Sequence, residues 1–128
     1  MCIRDSHNDI KSDNILIETT ESGAVCAILV DFNKACLSGE GRFYALSPSE
    51  KKMYIKNHPL VAPEVREGCG CQTFASDLYA FGRIVYKVND IMLTIPYLHS
   101  LSLLCLSEAP IKRPTADELH TSLNNLFH

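Results

Sequence analysis

The stretch His7-Asn8-Asp9-Ile10-Lys11-Ser12-Asp13-Asn14 gathers acids, a lysine and an asparagine into one short polar run. Such residue types dominate solvated turns, and that plain alternative is the one a chemical reading has to beat. A loop of this make-up can supply a carboxylate to orient a hydroxyl or take its proton, a cation to offset anionic charge, and oxygen ligands for a hard metal. Those are the components that phosphoryl transfer needs. Asn14, and Asp31 further along, are hard oxygen ligands that suit Mg²⁺ and not a soft metal.

The chain around these residues has 128 positions, 46% hydrophobic and 21% charged, enough apolar material for one globular domain with a core. A net charge of −3 gives no electrostatic case for a nucleic acid or an anionic membrane surface as partner. The longest apolar runs, 24–30 and 101–106, fall far short of the roughly 18 to 20 residues of a membrane span, and no signal-peptide pattern is present. A cytoplasmic protein is expected. Cys26, Cys36 and Cys105 sit inside apolar segments and are expected to be buried thiols. Cys69-Gly70-Cys71 reads as a turn, since zinc there would need a distant ligand such as His58.

Stepping along the chain, Ile15-Leu16-Ile17 and the run 25–32 flank a Gly-containing turn and predict a β-hairpin, with Asp31 and Phe32 following a buried strand. No period holds over 33–63, which reads as a long functional loop. Residues 76–88 are apolar on nearly every face and predict a core helix carrying Asp77 and Gly82. Residues 97–106 fit a helix or a short buried strand. Thr115 to Glu118 forms a capping box after Pro114, which starts a helix with Leu119, Leu123, Leu126 and Phe127 on one face.

The ordered set His7-x-Asp9-x-Lys11-x-x-Asn14, Asp31-Phe32, Ala62-Pro63-Glu64, Asp77 with Gly82, and Arg113-Pro114 resembles the C-terminal lobe of eukaryotic-type protein kinases over 7–126. The resemblance implies a mainly α fold with a small β-hairpin, a kinase-like C-lobe from which the N-lobe is absent. It implies Asp9 as catalytic base and Lys11 as the cation that neutralises the transferred phosphoryl group of ATP. Asn14 and Asp31 would be the Mg ligands and a protein Ser/Thr hydroxyl the acceptor, the lysine two places after the base being similar to the Ser/Thr-directed pattern. His7, Phe32, Glu64, Asp77 and Arg113 are implied to be structural: Glu64 and Arg113 as an ion pair, Asp77 as acceptor of backbone N–H groups of the catalytic loop.

Two positions depart from the family pattern. Asn8 replaces the arginine that in many relatives pairs with a phosphorylated activation loop, leaving Ser38, Tyr44, Ser47, Ser49 and Tyr54 as modifiable residues without that partner. Asn33 replaces a glycine, and asparagine is among the residues that best tolerate the positive φ expected there.

Nothing in the chain matches the Gly-rich loop, strand lysine or helix glutamate of the N-terminal lobe, and 68–73 lacks the third glycine and preceding strand. The expectation is a partial kinase domain at 7–128 whose N-terminal lobe was encoded upstream, with the isolated chain inactive. The opening residues 1–6, MCIRDS, back-translate to a run resembling the transposon end used to tag sequencing libraries, and read as a non-native leader. Two alternatives stand beside the kinase reading: a pseudokinase scaffold, motivated by Asn8 and Asn33, and an aminoglycoside-type small-molecule phosphotransferase. Ala62-Pro63-Glu64 and Arg113-Pro114 argue against the last.

Overall fold

The computed structural model describes residues 5–40, 46–68, 70–92 and 95–127. It is mostly helical, with two small antiparallel ribbons. Strand β1 (Asp5–Ser6) pairs with β4 (Cys36–Leu37), and β2 (Ile15–Thr19) pairs with β3 (Val25–Leu29). Helices α1 (Pro48–Asn57), α2 (Pro63–Arg66), α3 (Phe74–Met92), α4 (Pro96–Cys105) and α5 (Ala116–Phe127) follow, with short 3₁₀ turns at Ser12–Asn14 and Pro110–Lys112.

The β2–β3 hairpin closes through Thr20 and Ala24, with Gly23 at φ 82 supplying the left-handed turn position. The strand before Asp31 is not buried as expected: Val25 is 70% exposed and Cys26 is exposed as well, and in the paired strand Ile17 is 68% exposed. β-branched content made these strands, but none of the described helices covers either face, so their apolar side chains remain at the surface. The β1–β4 ribbon was not foreseen, because two-residue strands carry no periodicity. Here Ser6 is fully buried and donates through its hydroxyl to the Cys36 carbonyl. Cys36 is half-buried, and among the expected buried thiols only Cys105 is enclosed; burial pushes its thiol up to about 11.

The stretch 33–63 also contains a helix where no period was visible. Ser47 caps α1 reciprocally with Glu50, the Ser47 N–H donating to Glu50 Oε2 at 2.9 Å, and Pro48 opens the first turn. The helix buries none of its residues, which is why apolar spacing did not reveal it. Residues 97–105 lie in helix α4 rather than a strand, with Leu106 at its C-cap.

Helix α3 is longer than expected; its apolar core contacts lie in its first half, and Asn89 near its end is buried as well. Ala62, Val65 and Tyr79 form one apolar cluster with Val61 and Leu106 against it; Leu101, Cys105 and Leu119 form a second with Leu78, Phe81 and Leu123. Val88 and Ile91, toward the C-terminal end of α3, are exposed. Glu118 and Thr115 complete the cap of α5, Thr115 N–H donating to Glu118 Oε2 at 2.7 Å and Glu118 N–H to Thr115 Oγ1 at 3.2 Å. Leu119 and Leu123 face the core from α5, while Cys69, Tyr44 and the Phe127 side chain lie outside the described residues.

Gly82 lets α3 and α4 approach closely. A β-carbon there would sit 2.5 Å from the Cys105 β-carbon and 3.2 Å from the Ser102 carbonyl oxygen. Alanine would gain up to about 1 kcal/mol of helix propensity, but overpacking a rigid backbone contact costs about 1 to 3 kcal/mol. Gly82→Ala is therefore expected to lower the thermal midpoint; an unchanged or raised midpoint would mean that α4 shifts freely.

Candidate functional site

The polar run 7–14 is held from below by α3. Asp77, in the first turn of α3 and 9% exposed, accepts the His7 N–H on Oδ2 at 2.6 Å and the Asn8 N–H on Oδ1 at 2.8 Å. Burial pushes the Asp77 carboxyl above its ordinary value, and the two backbone donors only partly offset this. Asn8 adopts φ 65, a left-handed conformation that asparagine tolerates better than most residues.

His7 is buried with both ring nitrogens engaged. Asp9 N–H donates to Nδ1 at 3.3 Å, so the ring proton sits on Nε2, which donates to the Val30 carbonyl at 3.0 Å. Phe32, itself partly exposed, packs edge-on against the His7 ring with centroids 4.7 Å apart. His7 thus joins the polar run to the end of β3.

The tight turn Ser12–Asn14 folds Asn14 back toward Asp9. Asn14 Nδ2 donates to the Asp9 carbonyl at 2.9 Å and to Asp9 Oδ2 at 3.2 Å. Both partners are acceptors, which identifies the amide nitrogen and leaves the amide oxygen as a donor of lone pairs to a cation. Lys11 Nζ lies 3.3 Å from Asp9 Oδ2. The opposite oxygen, Oδ1, is taken by Lys34 Nζ at 3.0 Å, a residue that the sequence analysis did not single out. Burial by itself pushes the Asp9 carboxyl up, but the hydrogen bonds and charges of Lys34 and Lys11 prevail and hold it below its ordinary value.

Asp31 stands at the open end of the hairpin, where Val30 N–H donates to the Asn14 carbonyl at 2.9 Å and so sets the two backbones side by side. Its carboxylate is exposed and accepts the Asn33 N–H at 3.4 Å. The left-handed residue here is Asp31 itself, at φ 63, and not Asn33. The left-handed turn position falls two residues before Asn33, which therefore has no left-handed φ to accommodate. Among the described residues no three His, Cys, Asp or Glu side chains gather as a metal cage. The donor set available to a cation here, one amide oxygen and one carboxylate, suits Mg²⁺, which keeps several waters.

Asn8 draws the segment after Asp31 against this run. Its Nδ2 donates to the Lys34 carbonyl at 2.9 Å and to Cys36 Sγ at 3.0 Å, and its own carbonyl accepts Gln72 Nε2 at 3.3 Å. Asp9, Lys11, Lys34, His58, Leu60 and Gln72 are among the residues lining a cleft of about 310 Å³.

Glu64 and Arg113 lie together, apart from Asp9. Arg113 NH1 meets Glu64 Oε1 at 2.7 Å and NH2 meets Oε2 at 2.8 Å. The guanidinium also donates to the carbonyls of Ala75, Ser107 and Glu108, and stacks over Tyr79 with its carbon 5.1 Å from the ring centre. The Arg113 side chain is 0% exposed. Glu64→Ala would strand that charge, at a cost of about 3 to 5 kcal/mol in urea unfolding, whereas Glu64→Leu combined with Arg113→Met costs less. Equal losses in the two variants would mean that the enclosed Arg113 guanidinium does not need its Glu64 partner.

No family model matches the chain. Over 116 residues, 87% of its length, the chain is 34% identical to the probable serine/threonine-protein kinase gdt8 of Dictyostelium discoideum. It spans 8% of the length of that relative. The likeness supports a kinase-related origin for this stretch of sequence. No helix among the described residues is long and apolar enough to cross a membrane.

Proposed function

We propose that residues 7–128 form the larger lobe of a protein kinase domain, and that the whole protein transfers the γ-phosphoryl group of ATP to Ser or Thr hydroxyls of a protein substrate. The observation that carries this reading is the Asp9 carboxylate, braced by Asn14 at 3.2 Å and Lys11 at 3.3 Å, at the wall of an open cleft.

In this reading Asp9 orients the acceptor hydroxyl and takes its proton, and its lowered basicity suits an orienting group that accepts a proton late. The Lys11 ammonium offsets charge on the phosphoryl oxygens. Asn14, through its amide oxygen, and Asp31, through its exposed carboxylate, would hold Mg²⁺. When bound, Mg·ATP supplies the phosphoryl group and the cationic charge that spreads over it. His7 is an anchor and not a second base, since its Nδ1 is spent on the Asp9 N–H and its Nε2 proton on Val30. The left-handed Asp31 motivates a metal role as well, because residues in this sparsely populated region cluster at ligand sites.

Mn²⁺ serves as a paramagnetic stand-in for Mg²⁺. Added with ATP, it is expected to broaden the amide resonances of Asn14 and Asp31 in the isotope-labelled chain, and Asp31→Asn should abolish this while leaving the α5 resonances unmoved. Broadening that persists in Asp31→Asn, or that centres on another acidic patch, would overturn the metal assignment.

A further inference from the structure

Asp9 has two oxygens, and they are held unequally. Oδ2 is shared by Lys11 and by the Asn14 amide, a short local arrangement built within one tight turn. Among the described residues Oδ1 is held by Lys34 alone, whose side chain is 61% exposed and reaches in from the segment after Asp31. The Lys34 backbone is nevertheless fixed, because Asn8 Nδ2 donates to its carbonyl. The ammonium is therefore a mobile group on an anchored stem, standing in the same cleft as Lys11 and His58. Asp77, the other carboxylate lining that cleft, is saturated by the backbone N–H groups of His7 and Asn8 and offers no replacement partner.

An acceptor hydroxyl that is to bond Asp9 must take one of these oxygens, and Oδ1 is the one whose occupant can swing away. Displacement leaves the Lys34 ammonium beside the acceptor without its counter-charge. We infer that Lys34 is a specificity-determining residue of the acceptor cleft, which selects peptides carrying a carboxylate side chain next to the Ser or Thr hydroxyl. The acid replaces Asp9 as the partner of Lys34 when the hydroxyl arrives. This inference rests on Asp9 being the group that receives the hydroxyl, and it adds the chemical class of the substrate: acidic peptides.

The test uses two fluorescent serine peptides that differ only in Glu versus Gln flanking the serine, with a Lys-flanked third for the charge-reversed variant, titrated against the 128-residue chain at low and moderate salt. The wild type is expected to bind the Glu peptide about two- to fivefold more tightly, the size of one partly exposed ion pair. Lys34→Met should erase the difference, and Lys34→Glu should shift the preference to a Lys-flanked peptide. A preference that survives Lys34→Met, equal binding of both peptides by the wild type, or binding of neither would each overturn the inference. Binding is read without phosphate transfer. A Lys34-dependent preference in a chain whose whole protein transfers no phosphate would therefore refute the kinase reading alone.

Discussion

The candidate site depends on one buried carboxylate. Asp77 projects from the first turn of α3 and accepts two consecutive backbone N–H groups, those of His7 and Asn8. A buried anion is costly unless it is hydrogen-bonded, and here its two oxygens are matched one to one with two adjacent donors. This arrangement requires the two N–H groups to converge on one side of the chain, as successive N–H groups do at a helix N-terminus or in a tight turn. Asn8, the second of the two donors, adopts a left-handed φ of 65 as the chain continues toward Asp9.

Everything in the site follows from where that constraint leaves the chain. With His7 and Asn8 tied to α3, the next residue, Asp9, emerges at the mouth of the cleft, and the Ser12–Asn14 turn folds back to brace it. His7 extends the tie to Val30 and Asn8 extends it to Lys34 and Cys36, so both ends of the segment carrying Asp31 are bonded to the same two residues. In this arrangement Asn8 joins the two segments with neutral hydrogen bonds, where a phosphate and an arginine would join them by charge. The Glu64–Arg113 pair plays the corresponding part elsewhere, locking α2 to the carbonyls of Ala75, Ser107 and Glu108 around the Tyr79 core.

Much of this was legible from residue types and order. Helix α5 was marked by its Thr115–Glu118 cap and its leucine spacing, and α3 by its apolar content, because caps and burial both leave local signals. Other features were not legible. Exposure of the β2–β3 hairpin was hidden because β-branched runs report strand propensity and not what covers the strand. Helix α1 was hidden because it faces solvent and has no apolar period, although Ser47, Pro48 and Glu50 spelled out its start. Within the site, Lys34 was overlooked for a similar reason. Its role comes from a bond between its own carbonyl and a side chain far away in sequence, and nothing in the spacing of Asp31, Asn33 and Lys34 announces it.

The most direct measurement is phosphate transfer from radiolabelled ATP to a serine peptide, made with the protein encoded by the longest reading frame that contains this chain. The account predicts Mg²⁺-dependent labelling of the serine that falls by about a thousandfold or more in Asp9→Asn, with the folded state retained. Labelling that Asp9→Asn leaves intact, or its complete absence in a folded wild-type protein that binds Mg·ATP, would contradict it.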